Sequence, residues 1–313
     1  MKIRWRLHGD ETEPTTRQRG YNVYRELQRQ GVDADAWDGC SPADIIVLQY
    51  DMTGLDTALK CAPVVVADIN DMLFADWHGH RQGLLNGLKR VHGVVAGSPR
   101  LGQHLARMHP HVKTIDEPVD PKYYEVKPVA HKGLNVFWMG LHDNLTFFGE
   151  IDEVLAQLAK RHDFTVHIVC PPQDGTGNSN AAKVVGKPYQ TEYHIWTAET
   201  VLSVMSTCDI GVAPLFQNEW CACKCNNKVT SMMAAGLPVV CSAVTSYNAI
   251  IGNGENGFAC LCPDEWHVAI DYLIVNGDER EHMAQAGKIT AQKFTVAKIA
   301  RQWADWLAEL HPM

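Results

Sequence analysis

Two lysines four residues apart, Lys224 and Lys228, stand in a stretch dense with asparagine and cysteine, FQNEWCACKCNNKVTSMMAAG. On a helix beginning near Asn226 they share one face close to its N-terminus. Unpaired N–H groups and the helix dipole there favour an anion such as phosphate. A solvated lysine pair on a surface helix is the plainer reading of the same spacing. Gly140 closes the apolar run Leu134 to Met139, and His142 and Asp143 follow it. Glycine at a strand end lets the backbone approach a ligand, and an imidazole can bond a phosphate or a leaving oxygen. A turn glycine and a polar-loop histidine are the bland alternatives. In VVVADINDMLF, Asp68 and Asp71 come just past a buried run. Exposed carboxylates there would position or deprotonate a hydroxyl, with Asp68 the first choice and Asp71 the second. Helix capping and turn chemistry favour aspartate at the same places. Arg17 and Arg19, with Gly20 beside them, open the first predicted helix and are further phosphate or acceptor candidates, against a reading as plain surface arginines.

Cys221, Cys223 and Cys225, with Cys260 and Cys262, invite a metal reading. Structural zinc usually takes cysteines spaced C-x2-C rather than C-x-C. Cys260 and Cys262 alternate on a predicted strand and would share a face. No metal and no cofactor are expected. Ten cysteines in 313 residues are too few for a disulfide scaffold, and most lie in or beside apolar runs. That pattern suits buried thiols in a reducing cytoplasm.

These residues need strands and helices to hold them. Strands are predicted at Lys2 to Leu7, Val32 to Ala36, Asp44 to Leu48, Val64 to Ala67, Gly93 to Ala96 and His111 to Ile115. After a Pro-rich segment from Glu117 to Lys132 they resume at Leu134 to Met139, Thr165 to Cys170, Ala182 to Val185, Ile210 to Ala213 and Pro238 to Cys241. Residues 171–180 read as a polar loop. Helical patterns separate most strands, at Thr16 to Gln30, Gly54 to Lys60, Ala75 to Arg90, Pro99 to Met108, Phe147 to Arg161 and Ala198 to Thr207. Three more close the chain. Strands alternating with helices imply parallel sheets covered on both faces. Ligands of such sheets sit outside the carboxyl ends of the strands, which directs attention to the loop from Pro214 to Asn227.

The stretch from Asp209 resembles the nucleotide-sugar half of GT-B glycosyltransferases, of the large bacterial family (family 4-like, group 1) that includes lipopolysaccharide and capsule mannosyl- and glucosyltransferases. The residues that carry the likeness are Asp209-Ile-Gly-Val-Ala-Pro-Leu215, Ala234-Ala-Gly-Leu-Pro-Val-Val240 and Gly254-Glu-Asn-Gly-Phe258. Trp138-Met-Gly140 with His142 and Asp143 is similar to the opening of the donor domain. Arg17 to Gly20, Ala43 to Gln49, Pro63 to Asp68 and Gly97-Ser98-Pro99 look like its acceptor-side partner. The resemblance implies an α/β, GT-B fold: two doubly wound Rossmann-like domains facing across a cleft. The expected divisions are 1–127 for the acceptor side, 128–294 for the nucleotide-sugar donor domain, and 295–313 for a terminal helix packing back on the first. It further implies transfer of a sugar from a UDP- or GDP-sugar to an acceptor hydroxyl, retaining and metal-independent. Gly140, His142, Asp143, Pro214, Leu215, Asn218, Lys224, Lys228 and Ser231 are the donor contacts it suggests. Many members carry two glutamates with seven residues between them; here Cys223 and Ser231 stand nearest those places, and Lys224 and Lys228 fit a Lys-x-x-x-Lys subset. The Arg and Lys expected after the opening donor strand are replaced by His142 and Asp143. The acceptor is open: a saccharide, free or lipid-linked, a small metabolite, a protein or a modified nucleobase. The rival readings are a catalytically impaired nucleotide-sugar-binding module and a sugar-nucleotide epimerase of similar shape.

Composition bounds the rest. A net charge of -8 argues against a broad face for duplex nucleic acid. No apolar run approaches a membrane span, and no G-x-G-x-x-G follows a strand, which argues against an ordinary dehydrogenase. A cytoplasmic protein is expected.

Overall fold

The computed structural model describes residues 1–75, 79, 81–172 and 187–311. The predicted strand Ala182 to Val185, most of the loop at 171–180 and part of the helix Ala75 to Arg90 lie outside them. The chain divides into two compact units. Unit 1 is Met1–Asp120, Ala222–Asn227 and Phe294–Met313, and unit 2 is Pro121–Cys221 and Lys228–Lys293.

Unit 1 holds strands β1 (Lys2–Arg6), β2 (Asp33–Ala36), β3 (Ile45–Gln49), β4 (Val64–Ile69), β5 (Gly93–Ala96) and β6 (Val112–Thr114). They form one sheet in the order β2-β1-β3-β4-β5-β6, with every pair parallel. β3, β4 and β5 are buried along their whole length, as sheets covered on both faces require. The order reverses between β1 and β3: β2 lies to one side and the later strands run off to the other.

The first helix opens with a wide π-type turn, Thr16–Tyr21, and continues as Asn22–Arg29. The C-terminal helix Val296–Leu310 lies in this unit. Its Trp303 meets Trp5 of β1 edge-to-face at 5.9 Å, and both rings are fully buried. The segment Ala222–Asn227, remote in sequence, also belongs here, and Ser98 helps to hold it. That side chain accepts from Leu101 N–H at the start of the helix Pro99–Leu105 and donates to the Cys223 carbonyl at 2.6 Å. Ser98→Ala removes the cap and leaves a buried carbonyl short of a donor. It is expected to lower unfolding free energy by about 1–2 kcal/mol. Urea unfolding measures this, and an unchanged midpoint would mean that neither bond matters.

Unit 2 holds β7 (Leu134–Met139), β8 (Phe164–Cys170), β9 (Gln190–Ile195), β10 (Ile210–Ala213), β11 (Val239–Ser242) and β12 (Gly257–Cys260). Their order is β12-β11-β10-β7-β8-β9, again all parallel. Here the reversal falls between β7 and β10. The sequence reading missed β9, because the edge strand QTEYHI carries no continuous apolar run. The predicted helix Phe147 to Arg161 is two pieces, Leu145–Phe148 and Asp152–Leu158, parted at Gly149, a poor helix former. Cys260 ends β12 buried while Cys262 is exposed before the helix Pro263–Val275, so they do not share a strand face as expected.

Candidate functional site

In open parallel sheets, ligands bind beyond the carboxyl ends of strands where the strand order reverses. Each unit has one such point.

In unit 2 the reversal is flanked by the turn after β7 and the loop after β10. Gly140 follows β7 directly, and an added Cβ would stand 2.6 Å from the Trp138 ring, so glycine is required by packing. His142 and Asp143 form a short 3-10 turn, with His142 Nδ1 3.2 Å from the exposed Asp143 carboxylate. After β10, Pro214 and Leu215 are buried. Leu215 N–H donates to Ser242 Oγ, which donates back to the Leu215 carbonyl, both at 2.8 Å. That double bond anchors the loop to β11. Phe147 packs on Phe216 and Trp220, tying the β7 turn to the same loop. Asn218 accepts from Cys221 N–H at 2.9 Å, placing it as the cap of the helix Glu219–Ala222.

The helix Asn227–Ala235 carries Lys228 at its second position. Its ammonium lies 5.4 Å from the centre of the buried Trp138 ring, a cation–π distance. Lys224 lies in the bend before that helix, so the four-residue spacing does not put the two lysines on one helical face. Ser231 is 1% exposed inside the helix, which corrects its expected place on a ligand surface.

In unit 1 the reversal is flanked by the loop after β1 and the turn after β3. His8 comes from the first and Asp51 from the second, with His8 Nδ1 3.2 Å from Asp51 Oδ2. Arg6 donates to the other carboxylate oxygen at 2.7 Å. Burial pushes the Asp51 carboxyl up, but bonds from Thr53 and the charges of Arg6 and His8 outweigh it and hold it below its ordinary value. Asp51 is therefore a fixed anion that orients an imidazole whose side chain is 35% exposed. Tyr50, at φ 71°, packs tilted against His8 with ring centres 4.4 Å apart. A non-glycine residue at positive φ is uncommon and costs strain that the surrounding packing must hold. Tyr50 and Asp51 also line a concave pocket of about 560 Å³, together with Thr53, Asp56, Asn86 and Arg90. The sequence reading passed over His8 and Asp51; HGD after the first strand and QYD after the third were the signals available.

Asp68 is not an exposed carboxylate. It is 1% exposed in β4, and Arg19, fully buried, grips it through Nε at 3.0 and 3.1 Å and through Nη2 at 2.6 Å. Arg19 Nη1 donates to the Ile115 carbonyl at 2.8 Å, so this guanidinium is an internal brace and not a surface group. Asp71 accepts from Met72 N–H at 2.8 Å, the turn chemistry weighed for it. Arg17 donates to the Glu11 carbonyl at 2.8 Å. Gly20 is packed against Leu7 and Gln49, where a Cβ would come within 2.4 Å of Leu7 Cδ2.

With this geometry in hand, the comparisons with known proteins bear on its class. Residues 133–276 match the family model for glycosyl transferases group 1. No curated protein matches the chain by sequence. Among solved structures, Anabaena Alr3699/HepE in complex with UDP is similar over 99% of this chain and 100% of its own, with TM-score 0.72 at 14% identity. A glycosyltransferase from Rickettsia africae ESF-5 has TM-score 0.69 at 13% identity, over 99% of this chain and 98% of its own. WaaG, a glycosyltransferase involved in lipopolysaccharide biosynthesis, has TM-score 0.68 at 13% identity, over 97% of this chain and 98% of its own. The two parallel six-stranded sheets and these likenesses define a two-domain α/β protein of the GT-B fold. Residues 133–276 carry a glycosyl transferases group 1 domain, which supports a transferase. No helix among the described residues is long and apolar enough to cross a membrane.

Proposed function

We propose that this enzyme moves a sugar from a nucleotide diphosphate-sugar, UDP-linked in first preference and GDP-linked in second, to an acceptor hydroxyl. The observation that carries the reading is Lys228 on Trp138 beside Gly140, at the strand-order reversal of the group 1 domain. A cation at the start of a helix, next to a turn that only glycine fits, is suited to a diphosphate. One of the structural relatives was solved with UDP-glucose, which favours the uridine nucleotide.

Unit 1 would take the acceptor. Its pocket is lined by Thr53, Asp56, Asn86 and Arg90 together with apolar Met52, Leu55, Leu73 and Leu84, which suits a molecule with hydroxyl groups on an apolar ring face, such as a saccharide. Asp51 engages His8 Nδ1, leaving Nε2 as the nitrogen to receive the acceptor hydroxyl. Attack from the face that the diphosphate leaves gives retention: the new bond to the acceptor oxygen forms as the bond to the diphosphate breaks, the departing diphosphate takes the hydroxyl proton, and His8 keeps the acceptor oxygen on that face. Charge on the diphosphate is offset by Lys228 and the helix N-terminus, so the transfer proceeds without a bound metal or other cofactor. Burial pushes the Cys241 thiol up and the Cys260 thiol up to about 12, which suits inert core thiols.

A thermal-shift panel of nucleotides and nucleotide-sugars tests donor binding, because a ligand of the folded state raises its Tm. UDP and one UDP-sugar are expected to stabilise the protein; no shift with any member would sink the reading. Lys228→Ala is expected to weaken UDP binding about 10- to 100-fold, the loss of a charge-assisted bond. Calorimetry giving the same Kd for both proteins would remove Lys228 from the site. Binding without hydrolysis or transfer of any sugar would favour an impaired binding module. The anomeric form of the product, read by NMR, tests retention, and an inverted product would make His8 the base.

A further inference from the structure

In unit 2, three side chains with metal-ligand chemistry meet on one face of the sheet, at its β9 edge. The parallel register sets His167 of β8 opposite Glu192 of β9, and His194 two residues on returns to the same face. His167 Nδ1 lies 3.0 Å from His194 Nε2. Glu192 Oε2 lies 3.6 Å from the first nitrogen and 3.8 Å from the second. Zinc held at its usual bond lengths to nitrogen and oxygen in a tetrahedral shell separates its ligand atoms by about 3.3 Å, so this triangle has the right size.

We propose that His167, Glu192 and His194 form a divalent transition-metal site, with zinc the cation it fits, that fastens edge strand β9 to β8. Two imidazoles and a carboxylate are a zinc-type donor set, and water supplies the remaining position. His167 is nine-tenths buried, and its Nε2 has no hydrogen-bond partner among the described residues. Nδ1 is therefore the polar outlet of that ring. The rings lie within 16° of parallel with centres 5.3 Å apart, the arrangement of one shared N–H···N proton. A cation takes that proton's place: two metal–nitrogen bonds and a metal–oxygen bond form, the shared N–H bond breaks, and its proton is taken up at the other nitrogen of the same ring, so both imidazoles stay neutral. Each ring turns about its broad χ2 torsion to aim its lone pair at the metal. The site lies on the sheet at β8 and β9, away from the β7 and β10 ends assigned to the donor, so it is structural and independent of the transfer reaction. An edge strand this polar gains from such a fastening, since among the described residues β8 is the one strand paired with it.

The test titrates full-length, EDTA-stripped protein with zinc chloride by calorimetry in buffers of different ionisation enthalpy, and with Co2+ followed by its visible absorption. A single equivalent is expected to bind with a heat that does not depend on the buffer at neutral pH, to raise Tm, and to give the strong bands of low-symmetry four-coordinate Co2+. His194→Ala and Glu192→Gln, both at part-exposed positions, should keep the fold by circular dichroism. Each should weaken zinc binding by ~10-fold or more, since losing even an outer partner of a ligand costs that much. Wild-type protein that binds no zinc would overturn the proposal. So would folded variants that bind it with unchanged affinity, because the cation would then sit on other histidines or on Cys262.

Discussion

Replacing His8 with alanine is expected to lower kcat by ~10²-fold or more, with Kd for UDP unchanged. The size follows from geometry. A hydroxyl that must meet the donor carbon on the face the diphosphate leaves loses about that much when the group holding it is removed or displaced by an ångström. The donor affinity stays because Gly140 and Lys228 belong to the other domain, just after β7 and on the helix Asn227–Ala235. Asp51→Asn is expected to act in the same direction and less strongly. It keeps the shape but loses the fixed negative charge that Nδ1 meets at 3.2 Å. Steady-state kinetics with saturating UDP-sugar, together with calorimetry of UDP, separate the two quantities. Wild-type kcat in His8→Ala would remove His8 from the reaction, and a parallel loss of UDP affinity would mean that it acts through the fold.

Asp68→Asn is expected to cost about 3–5 kcal/mol of stability, the cost of leaving a buried charge without its partner. Arg19 is fully buried, and Asp68 is the carboxylate that meets it through three hydrogen bonds. Asp116 and Glu117 lie in the same field, and burial pushes both carboxyls up despite Arg19, as it does that of Asp68. Glu117 is 1% exposed, and its Oε2 has no hydrogen-bond partner among the described residues, which suits a protonated acid. The sign of the pH effect follows. An acid whose folded pKa is raised contributes its stability fully below its unfolded pKa, near 4.5 for glutamate, and loses it as pH rises through the higher folded value. Glu117→Gln is therefore expected to flatten the fall in stability above that pH, whereas Asp68→Asn lowers stability across the range. Urea unfolding measured at several pH values distinguishes them. A loss below ~1 kcal/mol in Asp68→Asn would show that Asp116 or Glu117 ionises to replace it.

These variants also show where the sequence stops being informative. Local features were legible. Apolar runs bounded by glycine and proline marked Leu134–Met139, Gly93–Ala96 and Ile210–Ala213 to the residue. Alternation with helices marked the parallel sheets, and the short motifs around Gly140, Pro214 and Gly236 marked the class. Each of these depends on neighbours within a few residues, where backbone conformation and burial leave a periodic trace.

Partnerships between distant residues left no such trace. Arg19 and Asp68 are 49 residues apart, and each read alone as a ligand group. Only the packing of the first helix against β4 turned them into a buried pair. His8 and Asp51 are 43 residues apart and meet because β1 and β3, not consecutive in the chain, are neighbours in the sheet. The lysine pair failed for the opposite reason: a helix that starts at Asn227 excludes Lys224, although the spacing alone suggested a shared face. Sequence determined the elements and the class of this protein. The tertiary structure decided which charged groups face a ligand and which brace the core, because strand order and burial, not spacing, set what each side chain meets.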